Sequence, residues 1–158
     1  MEVEAAMSEA FEQVIETPDF RAGIRILARL ARLAERVCQE TGISLPQYRL
    51  LVSISGQPPR ASELAARVGV SRPTLTSLVD GLEQAGLLKR QPVPSDRRGI
   101  QLVPTPAGRD AVTRAEDALT KRMLGLVAPD TASLVSDVVR TLGAALDREG
   151  EIQLSTRH

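Results

Sequence analysis

The chain has 158 residues, 20 Lys+Arg against 20 Asp+Glu, and is formally neutral at pH 7. With 42% apolar and 25% charged residues, it has the composition of one soluble globular domain large enough to bury a core. A single cysteine excludes an intramolecular disulfide, no apolar run approaches the roughly 18 residues of a membrane span, and the sole histidine, His158, excludes a histidine-based catalytic triad or zinc cluster.

The acidic N-terminus lacks a signal-peptide pattern, so the expected location is the reducing cytoplasm. The neutrality is uneven. Residues 1–19 carry six acidic and no basic side chains, residues 20–59 six arginines against two glutamates, and residues 60–100 seven basic against four acidic. Aromatic residues make up 2% and tryptophan is absent, so the core must be aliphatic, which suits helices packed through Leu, Val, Ile and Ala stripes.

Val3, Met7, Ala10, Phe11, Val14 and Ile15 form a helical stripe on the acidic leader and predict a short first helix. Thr17-Pro18 is a cap followed by a proline at the first helical position, and the helix it starts runs to about Gly42. On that helix Arg21, Arg25, Arg29, Arg32 and Arg36 fall within roughly 80° of arc, because each residue advances about 100°. Ile24, Leu27, Leu30, Ala31, Leu33, Ala34, Val37 and Cys38 occupy the opposite side and predict a wide buried face. The arginine stripe admits three readings: a solvated face, a site for an anionic effector, or a phosphate contact. Arginine's bidentate geometry toward carboxylates makes Arg21, Arg25 and Arg29 the candidate effector residues. Cys38 lies within the apolar arc, so it reads as a small apolar filler rather than a redox sensor.

Ser44 with Gln47 three residues on is a capping box, and Tyr48, Leu51, Val52 and Ile54 mark the helix it opens. The stretch from Ala61 organises the chain. Leu64, Ala65 and Val68 share one helix face. Gly69 can take the left-handed conformation that ends it, and Ser71 caps the next helix. Leu75, Leu78, Val79 and Leu82 recur at helical spacing, and Gly86 stops them. Two short helices joined by a tight turn predict a helix-turn-helix. Ser71, Arg72, Thr74, Thr76 and Ser77 lie near the start of its second helix, off the apolar stripe. They are the kinds of side chain that reach base edges or phosphates in a major groove.

An apolar-basic run, Leu87 to Gln91, then predicts a first strand and carries Arg90 as a further candidate DNA contact. Ile100 and Leu102 alternate with Gln101 and Val103 in a second strand. The segment PVPSDRRG between them reads as a polar loop carrying Asp96, Arg97 and Arg98, suited to a minor groove. Thr105-Pro106 repeats the cap-and-proline start. Ala111, Val112, Ala115, Ala118, Leu119, Met123 and Leu126 mark a long helix to about Val127. Leu134, Val135, Val138, Leu142, Ala145 and Leu146 mark a last one ending near Gly150.

SRPTLTSLVDGLEQAGLLKR followed by PSDRRGIQLVPTPAG resembles the winged helix of the MarR (multiple antibiotic resistance regulator) family. Asp96, Arg98, Ile100, Leu102, Thr105 and Gly108 stand where that family's wing signature has its Asp-x-Arg, alternating strand and Thr-x-x-Gly. The resemblance implies that Arg98 enters the minor groove with Asp96 holding it, and that Ser71, Arg72, Thr74 and Thr76 face the major groove. This chain departs from the pattern at Ser77 and Gly81, where family members often carry basic residues, and at Pro104, where leucine is usual. A proline there suits a strand at the sheet edge.

The expected fold is mainly α with a minor β component: one domain over 1–158, a winged helix-turn-helix at about 44–105, and flanking dimerisation helices at about 18–42 and 106–150. The end helices carry more apolar stripe than a small winged helix can cover, which predicts a two-fold dimer. The resemblance implies the same, with a ligand-responsive repressor binding a palindromic operator and a small anionic or aromatic effector between the helices. The alternative is a winged helix used for protein–protein contact without specific DNA binding, which the non-basic Ser77 and Gly81 favour. No enzymatic machinery, cofactor or metal site is legible.

Overall fold

The computed structural model describes residues 18–56, 61–93 and 96–155, with the backbone but not the side chains of residues 18–21, 61–62, 96–99, 147 and 149–155. The stripe at residues 3–16 and the Thr17 cap lie outside the described residues. Helix α1 spans Pro18–Glu40, α2 Leu45–Ser53, α3 Ala61–Val68 and α4 Arg72–Gln84. Strands β1 (Leu88–Val93) and β2 (Asp96–Pro104) follow, then α5 (Pro106–Leu124), a single 3₁₀ turn (Pro129–Thr131) and α6 (Ala132–Ser155). Mainly helical with one two-stranded antiparallel sheet, the molecule is a winged helix-turn-helix set between long helices.

The local signals act as their chemistry requires. The Ser44 hydroxyl accepts from Gln47 N at 3.3 Å, while the Gln47 side chain accepts from Ser44 N at 2.8 Å. Both otherwise unpaired first-turn donors are thus satisfied. Gly69 at φ 76° and Gly86 at φ 70° take the left-handed conformation that turns the chain out of α3 and α4. The Thr105 hydroxyl accepts from Gly108 N at 3.1 Å to cap α5, and donates to the Gly86 carbonyl at 2.7 Å.

One core joins the elements. Leu50, Leu51, Ile54, Leu64, Val68, Val79, Leu82, Leu88, Ala111 and Ala115 are buried together, with Cys38 near the end of α1 and Ile43 in the turn after it. Burial pushes the Cys38 thiol above its usual range, against a smaller opposing effect of Arg49, so it stays a neutral filler. The α1 face departs from its expectation. Val37 and Cys38 are buried, but Ile24, Ile26 and Leu27 are about half exposed. The C-terminal end of α1 reaches the core and Leu30, Leu33 and Ala34 are half-buried, while Ile24, Ile26 and Leu27 are left largely uncovered by the described residues.

The wing also differs from the predicted loop. β1 runs two residues further than Gln91, and β2 begins at Asp96 rather than Ile100. Pairing runs from Leu88↔Pro104 to Pro92↔Ile100, then jumps to Val93↔Asp96. One step on β1 thus spans four on β2, so Arg97, Arg98 and Gly99 form a bulge rather than a free loop. Asp96, Arg97, Arg98 and Gly99 give no apolar alternation, so this first part of the strand is invisible to periodicity. Pro104 ends β2 against Leu88, where a missing N–H is tolerated. Two helix ends also shift. α5 stops at Leu124 with Gly125 as its cap, short of Val127, and α6 continues through Gly150 to Ser155.

Candidate nucleic-acid interface

The interface is built on the first two turns of α4. Ser71 is its N-cap, with an extended backbone at φ −70° and ψ 157°, and its hydroxyl accepts from Thr74 N at 3.3 Å. Pro73 sits in the first turn, where its missing N–H costs nothing. Leu75, Val79 and Leu82 bury the opposite stripe, which turns Arg72, Thr74, Thr76 and Ser77 toward solvent.

The hydroxyls on this face already hold local partners. Ser71 Oγ and Thr74 Oγ1 share a hydrogen bond of 2.7 Å. Thr76 Oγ1 donates to the Arg72 carbonyl and Ser77 Oγ to that of Pro73, both at 3.2 Å. A hydroxyl that donates inward keeps its lone pairs outward, so this face offers acceptors and methyl groups. Arg72 is exposed and makes no ion pair among the described residues. It is the donor a guanine edge or a phosphate would meet first.

Arg90 is placed differently. It shares a strand face with Leu88, two residues apart, and Leu88 is buried against the core beneath α4. Its guanidinium is ion-paired through Nη2 to Asp80 Oδ1 at 2.6 Å and through Nη1 to Glu83 Oε2. Its backbone N–H donates to the same Glu83 carboxylate at 3.4 Å. The hydrogen bond to Asp80, ahead of the nearby carboxylate charges, holds its pKa above the usual arginine value. Asp80 and Glu83 were not singled out in the sequence: they lie ten and seven residues from Arg90, a relation that exists only once β1 folds back along α4. The backbone of Asp96, Arg97 and Arg98 lies at the start of β2 and in its bulge, while their side chains lie outside the described residues.

A second feature lies away from this face. A groove of about 720 Å³ runs between α1 and α5, lined by Ile26, Leu30, Leu33 and Leu126 on its apolar side. Arg29, Arg36, Lys121 and Arg122 also line it, against the single carboxylate of Glu40. Of the candidate effector residues, only Arg29 reaches it. Arg25 is exposed outside it, and the Arg21 side chain lies outside the described residues. Arg36 belongs to the same stripe and could have been chosen; Lys121 and Arg122 come from another helix and could not.

These elements define a winged helix-turn-helix protein, and comparison with known proteins agrees. Residues 41–99 match the MarR family model. The HTH-type transcriptional regulator YcgE of Bacillus subtilis (strain 168) is 31% identical over 90 residues, 57% of this chain and 58% of that protein. The match spans less than two thirds of the length of such curated relatives. Among solved structures, transcriptional regulator Tm0710 of Thermotoga maritima superposes with a TM-score of 0.57 at 27% identity, over 82% of this chain and 96% of that one. The transcriptional repressor CouR, bound to a 23-mer DNA duplex, superposes with a TM-score of 0.59 at 25% identity, over 83% and 95%. Over the winged helix-turn-helix the chain is similar to the MarR family, and it shares the fold of these regulators.

Proposed function

We propose that this chain is a DNA-binding transcription regulator that acts as a homodimer, represses from a palindromic operator and is released by a small anionic or aromatic effector. In this reading α4 lies in the major groove, with Ser71, Arg72, Thr74, Thr76 and Ser77 toward the bases. The wing reaches the adjacent minor groove through Arg98, with Asp96 orienting it and Arg97 near the backbone. One observation carries the reading: the N-terminal half of α4 exposes Arg72 and a row of short polar side chains on a helix whose opposite stripe is buried. The relative CouR, solved on duplex DNA, shares the fold.

The homodimer is supported by apolar stripes that no described residue covers: Ile24 and Leu27 on α1, and Leu134, Val138, Leu142 and Leu146 on α6. A two-fold dimer would place two recognition helices one DNA turn apart, about 34–36 Å. The effector reading is supported by the groove that holds Arg29, Arg36, Lys121 and Arg122 beside apolar walls. Guanidinium pairs bind a carboxylate in a fixed fork while the walls take an apolar body.

The alternative, a winged helix for protein contact, draws on the charge of α4, which holds Arg72 against Asp80 and Glu83. Selection of duplexes from random-sequence DNA, followed by gel-shift and footprinting, separates the two. A regulator selects a palindrome and protects both halves; recovery of no preferred sequence overturns the regulator reading. The effector reading is tested by titrating salicylate-like carboxylates into the complex with the selected duplex. Arg29→Ala is expected to blunt release without changing affinity in the absence of the acid.

A further inference from the structure

Three features of the wing's base converge on one side chain. First, the base of the ribbon is fixed at both strands: Leu87 N donates to Leu82 O at 2.9 Å, and Thr105 N donates to Leu87 O at 3.0 Å. Beyond that base the two strands differ: Leu102 of β2 packs against the core, whereas β1 at Arg90 lies along the C-terminal half of α4. Second, the contact across that gap is Arg90, whose guanidinium meets Asp80 and Glu83 at i and i+3 on one face of α4, and whose own N–H meets Glu83 as well. Third, α4 by itself carries one arginine and two carboxylates, so without Arg90 the helix would bring net negative charge to any polyanion it approached.

We propose that Arg90 is a positioning residue that ties the wing to the recognition helix and neutralises its two carboxylates, rather than a DNA contact; this rests on the DNA-binding reading above. A guanidinium presents its N–H groups in one plane, so holding two carboxylates one helical turn apart fixes both the height of β1 along α4 and the angle of the ribbon. A single exposed ion pair contributes little. Here three hydrogen bonds converge on one residue of a short ribbon, and the quantity they set is orientation rather than global stability. The bulge at Arg97 to Gly99 sits at the far end of the same ribbon, so a rotation at Arg90 displaces it most.

The test uses the full chain and two readouts. In the absence of DNA, Arg90→Gln is expected to speed amide hydrogen exchange in residues 88–93 and 100–104 by about tenfold, while α2 and α3 keep their protection, because only a local opening is favoured. Asp80→Asn combined with Glu83→Gln should produce the same loosening, and adding Arg90→Gln to that pair should add nothing further. Unchanged wing exchange in Arg90→Gln overturns the tie. With a duplex selected by the protein itself, Arg90→Gln should weaken binding several-fold while the slope of log affinity against log salt stays the same. A slope smaller by about 0.9 is the loss of one phosphate contact and overturns the proposal in favour of direct binding. Should the unaltered chain bind no DNA, the DNA-binding reading fails by itself, and the exchange measurements still decide whether Arg90 ties the wing.

Discussion

Gly108 shows what a single missing methyl group does. A Cβ built there would lie 1.9 Å from the Leu87 carbonyl oxygen and 2.9 Å from its carbon. The start of α5 can therefore approach the entry to the wing only because residue 108 has no side chain. With Thr105 capping α5 and donating to Gly86, the Thr-x-x-Gly pair forms a latch between the helix and the wing rather than a contact surface. Gly108→Ala should destabilise the fold by about 1–3 kcal/mol, as overpacking into backbone does, read as a lower urea midpoint at unchanged slope. A variant as stable as the parent would show that the approach relaxes freely. Tyr48 gives a second residue-scale expectation. Burial first, then the charge of Glu116 and its hydrogen bond at 3.2 Å, push the phenol up to about 12. A folded pKa above the ordinary value of 10 means the folded state favours the neutral phenol. The stabilisation is full below pH 10 and is lost as pH rises toward 12. Denaturant midpoints compared from pH 9 to 12 should converge between the parent and Tyr48→Phe, with the parent falling faster; parallel curves would show no coupling.

At the scale of elements, the capped helices and the two strands of the wing are legible in the sequence, whereas the full length of the wing and its bulge are not. Ser44 with Gln47, Ser71, and Thr105 with Pro106 announce helix starts through side chains that satisfy specific backbone donors, and each acts so. Gly69 and Gly86 announce the turns out of α3 and α4 by the backbone region they permit. Strand β2 from Asp96 to Gly99 lacked any such mark, since Asp-Arg-Arg-Gly offers no hydrophobic alternation. Likewise, no local pattern encodes an arginine reaching carboxylates seven and ten residues back. Two predictions belong here. Replacing Arg72 and Thr76 with alanine should weaken the selected duplex more than random duplex DNA, since each base-edge contact discriminates by about 1–3 kcal/mol. Equal losses on both would assign these side chains to phosphate. On the wing, Asp96→Ala removes a negative charge near DNA, so long-range electrostatics alone predicts tighter binding. An aspartate that orients Arg98 predicts weaker binding instead, and that is the expected outcome in titrations at two salt concentrations. Tighter binding at both would remove Asp96 from that role.

At the scale of the molecule, the distribution of apolar surface separates folding from assembly. The core at Leu50, Leu51, Leu82 and Leu88 closes without α6. The α6 stripe at Leu134, Val138, Leu142 and Leu146, recurring every four residues, stays open along with Ile24, Ile26 and Leu27 on α1. Burying one leucine is worth about 1.5–3 kcal/mol, and two-fold symmetry counts every such residue twice, so a stripe of this length suffices to hold two copies together. A charge in its middle should therefore act on assembly and leave the fold alone. Leu142→Asp is expected to shift the chain from dimer to monomer in sedimentation at micromolar concentration, with the circular dichroism of its helices retained. Cutting the chain after residue 128 removes the stripe altogether and should abolish the dimer or cause aggregation through the remaining α1 surface. Either change should also weaken the palindrome far more than a single half-site, because half-sites one helical turn apart gain only from linked recognition helices. A truncated chain that stays soluble and monomeric yet binds the palindrome as tightly as the parent would show that the exposed stripes serve something other than dimerisation.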